Sequence, residues 1–128
     1  MKNNKYYRVY AEINLDAIVK NVDNLMALTK ENTGALAVVK ADGYGHGDVA
    51  VAKAVAQKVT GYAVATLDEA VNLRENGVKK PILVLGYVDP YEFDILVSHE
   101  ITATVFDVET AQLLADAARV QKKQAHCH

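Results

Sequence analysis

Cysteine, tryptophan and proline are nearly missing from this sequence, whose 128 residues include one cysteine, no tryptophan and two prolines. The lone cysteine, Cys127, excludes an intrachain disulfide and favours a reducing compartment. A basic excess is missing as well, because 14 Lys and Arg residues stand against 16 Asp and Glu residues and the formal net charge is −2. Nucleic-acid binders usually carry such an excess. We therefore expect no nucleic-acid partner.

Long apolar runs are also missing. No run approaches the ~18 residues that a membrane helix needs, so we expect no membrane partner. The first eight residues are polar and lack the apolar centre of a secretory signal. Together these absences predict a cytoplasmic protein. With 51% hydrophobic and 23% charged residues, the composition is that of one ordinary globular domain rather than of a disordered chain.

The sequence does contain apolar segments of two alternating kinds. Apolar residues three or four positions apart predict an amphipathic helix over 15–28, with Asn14 as its N-cap. Short unbroken apolar runs predict buried strands centred near residues 37, 63, 83 and 103, and another strand begins near 125. Four further helix starts are predicted by local signals: Asp48 as an N-cap, the capping box Thr66–Glu69, Asp89 followed by Pro90, and Asp107 as an N-cap.

This alternation predicts the fold class. Strand centres 20 to 26 residues apart have the spacing of compact βα units, which build parallel sheets with right-handed crossovers. Strands without polar alternation are expected to be covered on both faces. A small doubly wound sheet and part of a (β/α)8 barrel both satisfy the pattern. Because the sequence ends as a strand begins, we favour the N-terminal half of a TIM-type barrel of parallel βα units, within a longer protein.

Lys40 is the first candidate for chemistry. It is the last residue of the first predicted strand, at the edge where α/β proteins place their sites. A lysine that closes an apolar run is unusual, because burying an ammonium group is costly. Partial desolvation would free the amine as a nucleophile for a carbonyl group, and an aldehyde cofactor is its obvious partner. A lysine that merely extends into solvent at the barrel mouth explains the residues equally well.

A glycine-rich segment, Gly43–Gly47, follows the lysine. Its alternate glycines allow a tight turn, or the approach of an anion to the helix expected at Asp48. The spacing G-x-G-x-G differs from the dinucleotide fingerprint G-x-G-x-x-G. Asp68 lies where a ribose-binding acid would fall, but it belongs to a capping segment in which acids are common. A nucleotide site is therefore disfavoured, and we expect His46 to order this loop by hydrogen bonding.

The ten residues Val38-Val39-Lys40-Ala41-Asp42-Gly43-Tyr44-Gly45-His46-Gly47 resemble the signature of the alanine racemase family. Three flanking segments resemble the family in the same order and spacing: 11–17, 63–70 and 81–86. The resemblance extends from about Tyr7 to His128. A motif of this length is far more specific than a lone glycine-rich loop.

The resemblance implies an enzyme that uses pyridoxal 5′-phosphate (PLP) and has an N-terminal barrel and a C-terminal β domain. Lys40 matches the lysine that binds the cofactor covalently and then acts as a catalytic base on the D-enantiomer. Tyr44 matches the tyrosine whose hydroxyl contacts the cofactor phosphate. Val38 and Leu85 match apolar positions that line the cofactor, although packing in the barrel core explains their apolar character equally well.

The resemblance further implies that residues 1–128 are the N-terminal part of this barrel domain, with the rest of the barrel and the β domain outside the sequence. Racemisation needs one base on each face of the substrate, and the family's second base comes from the partner subunit of a homodimer. We therefore expect the 128 residues alone to racemise inefficiently. We expect no metal site, because the cluster His126, Cys127 and His128 is too sparse.

The function implied is the interconversion of L-alanine and D-alanine for peptidoglycan synthesis, with a small amino acid as the substrate. Two alternatives stay open at this point. One is a serine or broad-specificity amino-acid racemase, and the other is a PLP-binding barrel protein without catalytic activity.

Overall fold

The computed structural model describes residues 9–128. The prediction that residues 1–8 are not a secretory signal concerns a segment outside the described residues. Helices and strands alternate along the described part of the chain. Their bounds are α1 Leu15–Met26, β1 Leu36–Val38, α2 Lys40–Gly45, α3 Asp48–Ala54, β2 Gly61–Val64, α4 Leu67–Glu75, β3 Ile82–Val84, a 3-10 turn Pro90–Glu92, α5 Phe93–Ser98, β4 Thr102–Ala103, α6 Val108–Gln121 and β5 His126–Cys127. Within residues 9–128, no helix has the length and apolar character that crossing a bilayer requires.

The strands form one parallel sheet in the order β1-β2-β3-β4-β5. One row of neighbouring residues runs across it, from Val38 through Ala63, Leu83 and Thr102 to His126. A doubly wound sheet reverses its strand order at a switch point, and no reversal occurs among these five strands. The sequential order is that of a barrel wall, which favours the barrel over the doubly wound alternative.

The two faces of the sheet are covered differently. Side chains alternate between faces along a strand, and one alternate set joins the hydrophobic core with the helices. That set contains Val39, Tyr62, Val64, Ile82, Val84 and Ala103. The Tyr62 hydroxyl donates a hydrogen bond to the carbonyl oxygen of Ala52 in α3 at 2.7 Å, which shows that this face meets the helices.

The opposite face, which carries Leu36, Val38, Leu83 and Thr102, is called the inner face here. Leu36 and Val38 are 50% and 41% exposed. The expectation that the strands are covered on both faces is therefore wrong for β1. Crossovers of one hand between strands in sequential order place every connecting helix on the same side of the sheet.

Four of the five predicted helix starts are confirmed, at Asn14, Thr66, Asp89 and Asp107. The fifth is wrong. Gly47 is the N-cap of α3 and Asp48 is its first helical residue, so the helix begins one position earlier than predicted. The Asp48 carboxylate has another partner, because its Oδ2 accepts a hydrogen bond from Asn72 at 2.8 Å.

The strands are present where they were predicted, but they are shorter. β1 ends at Val38, so Lys40 is not the last residue of a strand; it is the first residue of α2. The run predicted as a strand over 101–106 is paired only over Thr102–Ala103. A strand ends where its neighbours stop pairing with it, and the length of an apolar run does not predict where that pairing ends.

Candidate functional site at the carboxyl end of the sheet

Lys40 lies where the first strand leaves the sheet. The N–H of Val39 still donates to the carbonyl oxygen of Ala63 in β2 at 2.9 Å, so the lysine follows directly after the last bond of this ladder. The Lys40 side chain is half-buried. The salt bridges within residues 9–128 are Lys58–Asp23 and Arg119–Asp116. Among the described residues, no carboxylate therefore forms an ion pair with the Lys40 amine.

Val38 and Leu85 are placed on the inner face near the same edge. The N–H of Leu85 donates to the carbonyl oxygen of Val64 at 2.8 Å, which extends the ladder one residue beyond β3. Alternation along the strand puts Leu85 on the same side as Leu83. Val38 and Leu85 are 41% and 42% exposed, and neither belongs to the hydrophobic core. Within residues 9–128, both side chains are therefore part of the exposed surface of the inner face.

Tyr44 lies in a backbone segment of unusual conformation. The four residues 41–44 have φ between 52° and 60° and ψ between 36° and 52°, which is the left-handed region. This conformation costs roughly 1–2 kcal/mol for each residue other than glycine. Such strain persists where surrounding contacts hold it, and it is concentrated at functional sites. We call residues 41–44 the left-handed turn.

Two residues of the glycine-rich segment Gly43–Gly47 stabilise the turn. The loop-ordering role predicted for His46 is confirmed, because its Nδ1 lies 3.1 Å from the carbonyl oxygens of both Gly43 and Tyr44. Gly43 is buried in the turn, and a Cβ atom at this position would lie 3.2 Å from the backbone nitrogen of Asp48. Its φ of +60° also favours glycine, so both space and conformation select this residue.

Helix α4 holds the turn from a distant part of the sequence. Glu69 Oε1 accepts a hydrogen bond from the N–H of Ala41 at 2.7 Å, and its Oε2 accepts one from the N–H of Ala65 at 2.7 Å. Asn72 reaches Asp48, just beyond the turn. The sequence identified Glu69 only as part of a capping box, and its contact with Ala41 has no local sequence signal.

Metal ligation has no candidate here. Across residues 9–128, no group of three or more His, Cys, Asp and Glu side chains is arranged to hold a metal ion. His126 and Cys127 are exposed on β5, and Cys127 is a free cysteine. The residues that follow β1 at this edge include a primary amine at Lys40 and a phenol at Tyr44.

Residues 13–128 match the family described as alanine racemase, N-terminal domain. The chain belongs to the alanine racemase family. It is 40% identical, over its whole length, to alanine racemase 1 of Oceanobacillus iheyensis, and it covers 34% of that protein. The chain thus spans about a third of the length of the curated relatives that it matches.

Solved structures of alanine racemases resemble the chain closely. The enzyme from Clostridium difficile 630 superposes with a TM-score of 0.93 at 40% identity, over 96% of this chain and 33% of that one. Its complex with cycloserine superposes with a TM-score of 0.89 at 39% identity, over 94% of this chain and 34% of that one. The predicted fold class, the N-terminal portion of an α/β barrel, is therefore confirmed. The roles given to Lys40, Tyr44, Val38 and Leu85 stay predictions.

Proposed function

We propose that this chain contributes the cofactor-binding lysine of an alanine racemase, a PLP-dependent isomerase that interconverts L-alanine and D-alanine. The observation that carries the proposal is the placement of Lys40, a half-buried lysine at the carboxyl end of a parallel sheet and beside a strained turn. Functional groups of barrel enzymes lie at this end of the strands. Membership of the alanine racemase family supports the choice of reaction.

The side chains at this edge fit PLP. The cofactor needs an amine for its aldehyde, a polar group for its phosphate and apolar surface for its ring. Lys40 offers the amine, and Tyr44, which is 59% exposed, offers a hydroxyl. Val38 and Leu85 offer half-exposed apolar surface on the inner face. We propose these four as the cofactor-binding residues of this chain, and PLP when bound supplies the electron withdrawal that makes the α-proton of the substrate removable.

Lys40 is also the proposed catalytic base. Its Nζ would accept the α-proton from one face of the substrate, or donate a proton to that same face when the reaction runs in the opposite direction. Racemisation needs a second base on the opposite face. We propose that residues outside this sequence supply that base across the interface of a homodimer.

The proposed substrate is a small amino acid, alanine first. A solved alanine racemase that superposes on this chain is in complex with cycloserine, which supports a small molecule as the substrate. We further propose that the reaction takes place in the cytoplasm and supplies D-alanine for peptidoglycan.

Reductive trapping tests the proposal. PLP is added to the full chain, the mixture is reduced with borohydride, and the adducts are located by intact mass and peptide mapping. We expect one adduct, on Lys40, that is lost in Lys40→Ala and kept in the matched variant Lys53→Ala, which removes an exposed lysine on α3. Adducts spread over the exposed lysines without preference for Lys40 would contradict the cofactor assignment.

Hydrogen exchange at the substrate tests the catalytic role. With PLP in deuterated water, we expect the chain to exchange the α-proton of alanine with little racemisation, because Lys40 serves only one face. Lys40→Ala should abolish the exchange. Trapping on Lys40 without any exchange would favour a PLP-binding protein without catalytic activity.

A further inference from the structure

We propose that Glu69 is a positioning residue for Lys40. Its carboxylate binds the N–H of Ala41 and thereby fixes the backbone from which the lysine side chain extends. This inference rests on the proposed function of Lys40 and assigns a task to a residue that the sequence marks only as a helix cap.

The hydrogen-bond lengths distinguish the two roles of Glu69, which are to cap α4 and to bind the N–H groups of Ala41 and Ala65. In the capping box, the N–H of Thr66 reaches Glu69 Oε2 at 3.4 Å, and the N–H of Glu69 reaches Thr66 Oγ1 at 3.4 Å. Both distances exceed the usual range for N–H···O bonds. The bonds from Ala41 and Ala65 are 2.7 Å long, as expected for a charged acceptor. The shorter bonds of this carboxylate therefore lie outside the capping box.

The two short bonds join the ends of neighbouring strands. Ala41 comes three residues after β1 ends at Val38, and Ala65 comes directly after β2 ends at Val64. Each Glu69 oxygen takes one of these N–H groups. The carboxylate thus ties β1 and β2 together at the carboxyl edge, where the proposed cofactor site lies.

The bond to Ala41 acts on the lysine through the peptide plane. The carbonyl group of Lys40 and the N–H of Ala41 belong to one planar unit, so fixing the direction of that N–H fixes ψ of Lys40. On the other side, the peptide group between Val39 and Lys40 is anchored by the carbonyl oxygen of Val39, which accepts a hydrogen bond from the N–H of Gly43 at 2.9 Å. Lys40 therefore stands between two anchored peptide groups. Without Glu69, the strained left-handed residue Ala41 can relax and carry the lysine backbone with it.

The experiment compares Glu69→Gln with Thr66→Val in the full chain. Glutamine has one acceptor oxygen and cannot serve both short bonds, whereas Thr66→Val removes a capping bond and leaves the carboxylate in place. We measure amide hydrogen exchange at Ala41, and the rate at which PLP is trapped on Lys40 relative to the other lysines. Loss of a bond to a charged acceptor corresponds to a change of about tenfold or more.

We expect Glu69→Gln to speed exchange at Ala41 and slow trapping at Lys40 by about tenfold, and Thr66→Val to change each by less than about twofold. Glu69→Asp is the second variant, because it keeps the negative charge in the first turn of α4 while its shorter side chain withdraws from Ala41. It should follow Glu69→Gln in both measurements.

Two results would overturn the inference. One is unchanged exchange at Ala41 and unchanged trapping in both Glu69→Gln and Glu69→Asp. The other is an equal loss in Glu69→Gln and Thr66→Val, which would mean that Glu69 acts only as a cap. Failure of the proposed function is a different result, because the wild-type chain would then show no preference for Lys40. In that case exchange at Ala41 alone decides whether Glu69 holds the turn.

Discussion

Gly43 and Gly45 share a positive φ, of +60° and +79°, but a methyl group would meet different surroundings at the two positions. A Cβ at Gly45 has no atom within 4 Å, whereas a Cβ at Gly43 would lie 3.2 Å from the backbone nitrogen of Asp48. We expect Gly45→Ala to cost about 1–2 kcal/mol, the left-handed penalty alone. Gly43→Ala should cost more, because the start of α3 must also shift. Urea denaturation of both variants measures the difference, and equal losses would contradict the packing.

Individual residues were predictable where their chemistry is local. The sequence predicted that His46 orders its own loop, because its partners are two and three residues away. It could not decide whether Val38 and Leu85 are core residues, because an apolar run does not tell which face of a strand is covered. Ala41 and Glu69 are 28 positions apart, so their contact has no local sequence signal, and only the folded sheet brings them together.

The start of α6 makes the stability of that helix depend on pH. Hydrogen bonds from Thr110 hold the pKa of the Asp107 carboxyl below its usual value. A depressed pKa in the folded state contributes stability that is fully present above the unfolded value, about 3.9, and is lost as the pH falls through the folded value. We therefore expect the urea concentration at the midpoint of unfolding to decrease when the pH is lowered below about 4.

Asp107→Asn should flatten this acid dependence, because asparagine caps a helix without titrating. Glu109→Gln is the matched control, since it removes a carboxylate from the first turn of the same helix and should keep the dependence. Urea midpoints measured across the acid range decide the matter. Parallel curves for wild type and Asp107→Asn would show that protonation of Asp107 does not contribute to the acid dependence of stability.

Arg74 joins α4 to two loops at the amino end of the sheet. Its guanidinium donates to the carbonyl oxygens of Val78, Lys80, His99 and Glu100, at 2.7 to 2.9 Å. Lysine cannot reproduce this planar set of donors. We expect Arg74→Lys to lower the free energy of unfolding by about 2 kcal/mol. The control Arg119→Lys alters an exposed ion pair and should change it by less than about 0.5 kcal/mol. Chemical denaturation compares the two, and similar losses would contradict the bridging role.

Helix starts were easier to predict than strand ends. A cap such as Asn14 or Asp107 bonds to an N–H three residues further on, so its whole signal lies in the local sequence. The extent of β4, by contrast, depends on pairing with β3 and β5, which lie on either side of it in the sheet. That is why the predicted strand 101–106 is paired over only two residues.

The strand order could not be predicted from periodicity, and it determines the shape of the exposed surface. Among residues 9–128, the sequential order leaves β1 and β5 as the edges of the sheet, and the inner face of β1 is exposed at Leu36 and Val38. An open depression of about 320 Å³ lies on this face, and its lining includes Leu36, Pro81, Leu83 and Thr102. Unpaired edges and exposed apolar surface both promote association between chains.

We therefore expect the 128-residue chain to self-associate as its concentration rises. Leu36→Lys places a charge on the inner face of the edge strand and should weaken this association. Val120→Lys is the matched control, because Val120 is 82% exposed on α6, away from the sheet. Sedimentation velocity over a concentration series gives the result. Equal association of the two variants would mean that the inner face is not the contact surface.

The left-handed turn has a consequence for handedness. A left-handed backbone is the mirror image of the one that L-residues prefer, so D-residues adopt it without strain. At Ala41, where φ is +52°, the relaxed occupant would be D-alanine. The chain proposed to invert alanine thus holds one of its own alanines in the backbone geometry of the opposite enantiomer, directly after Lys40.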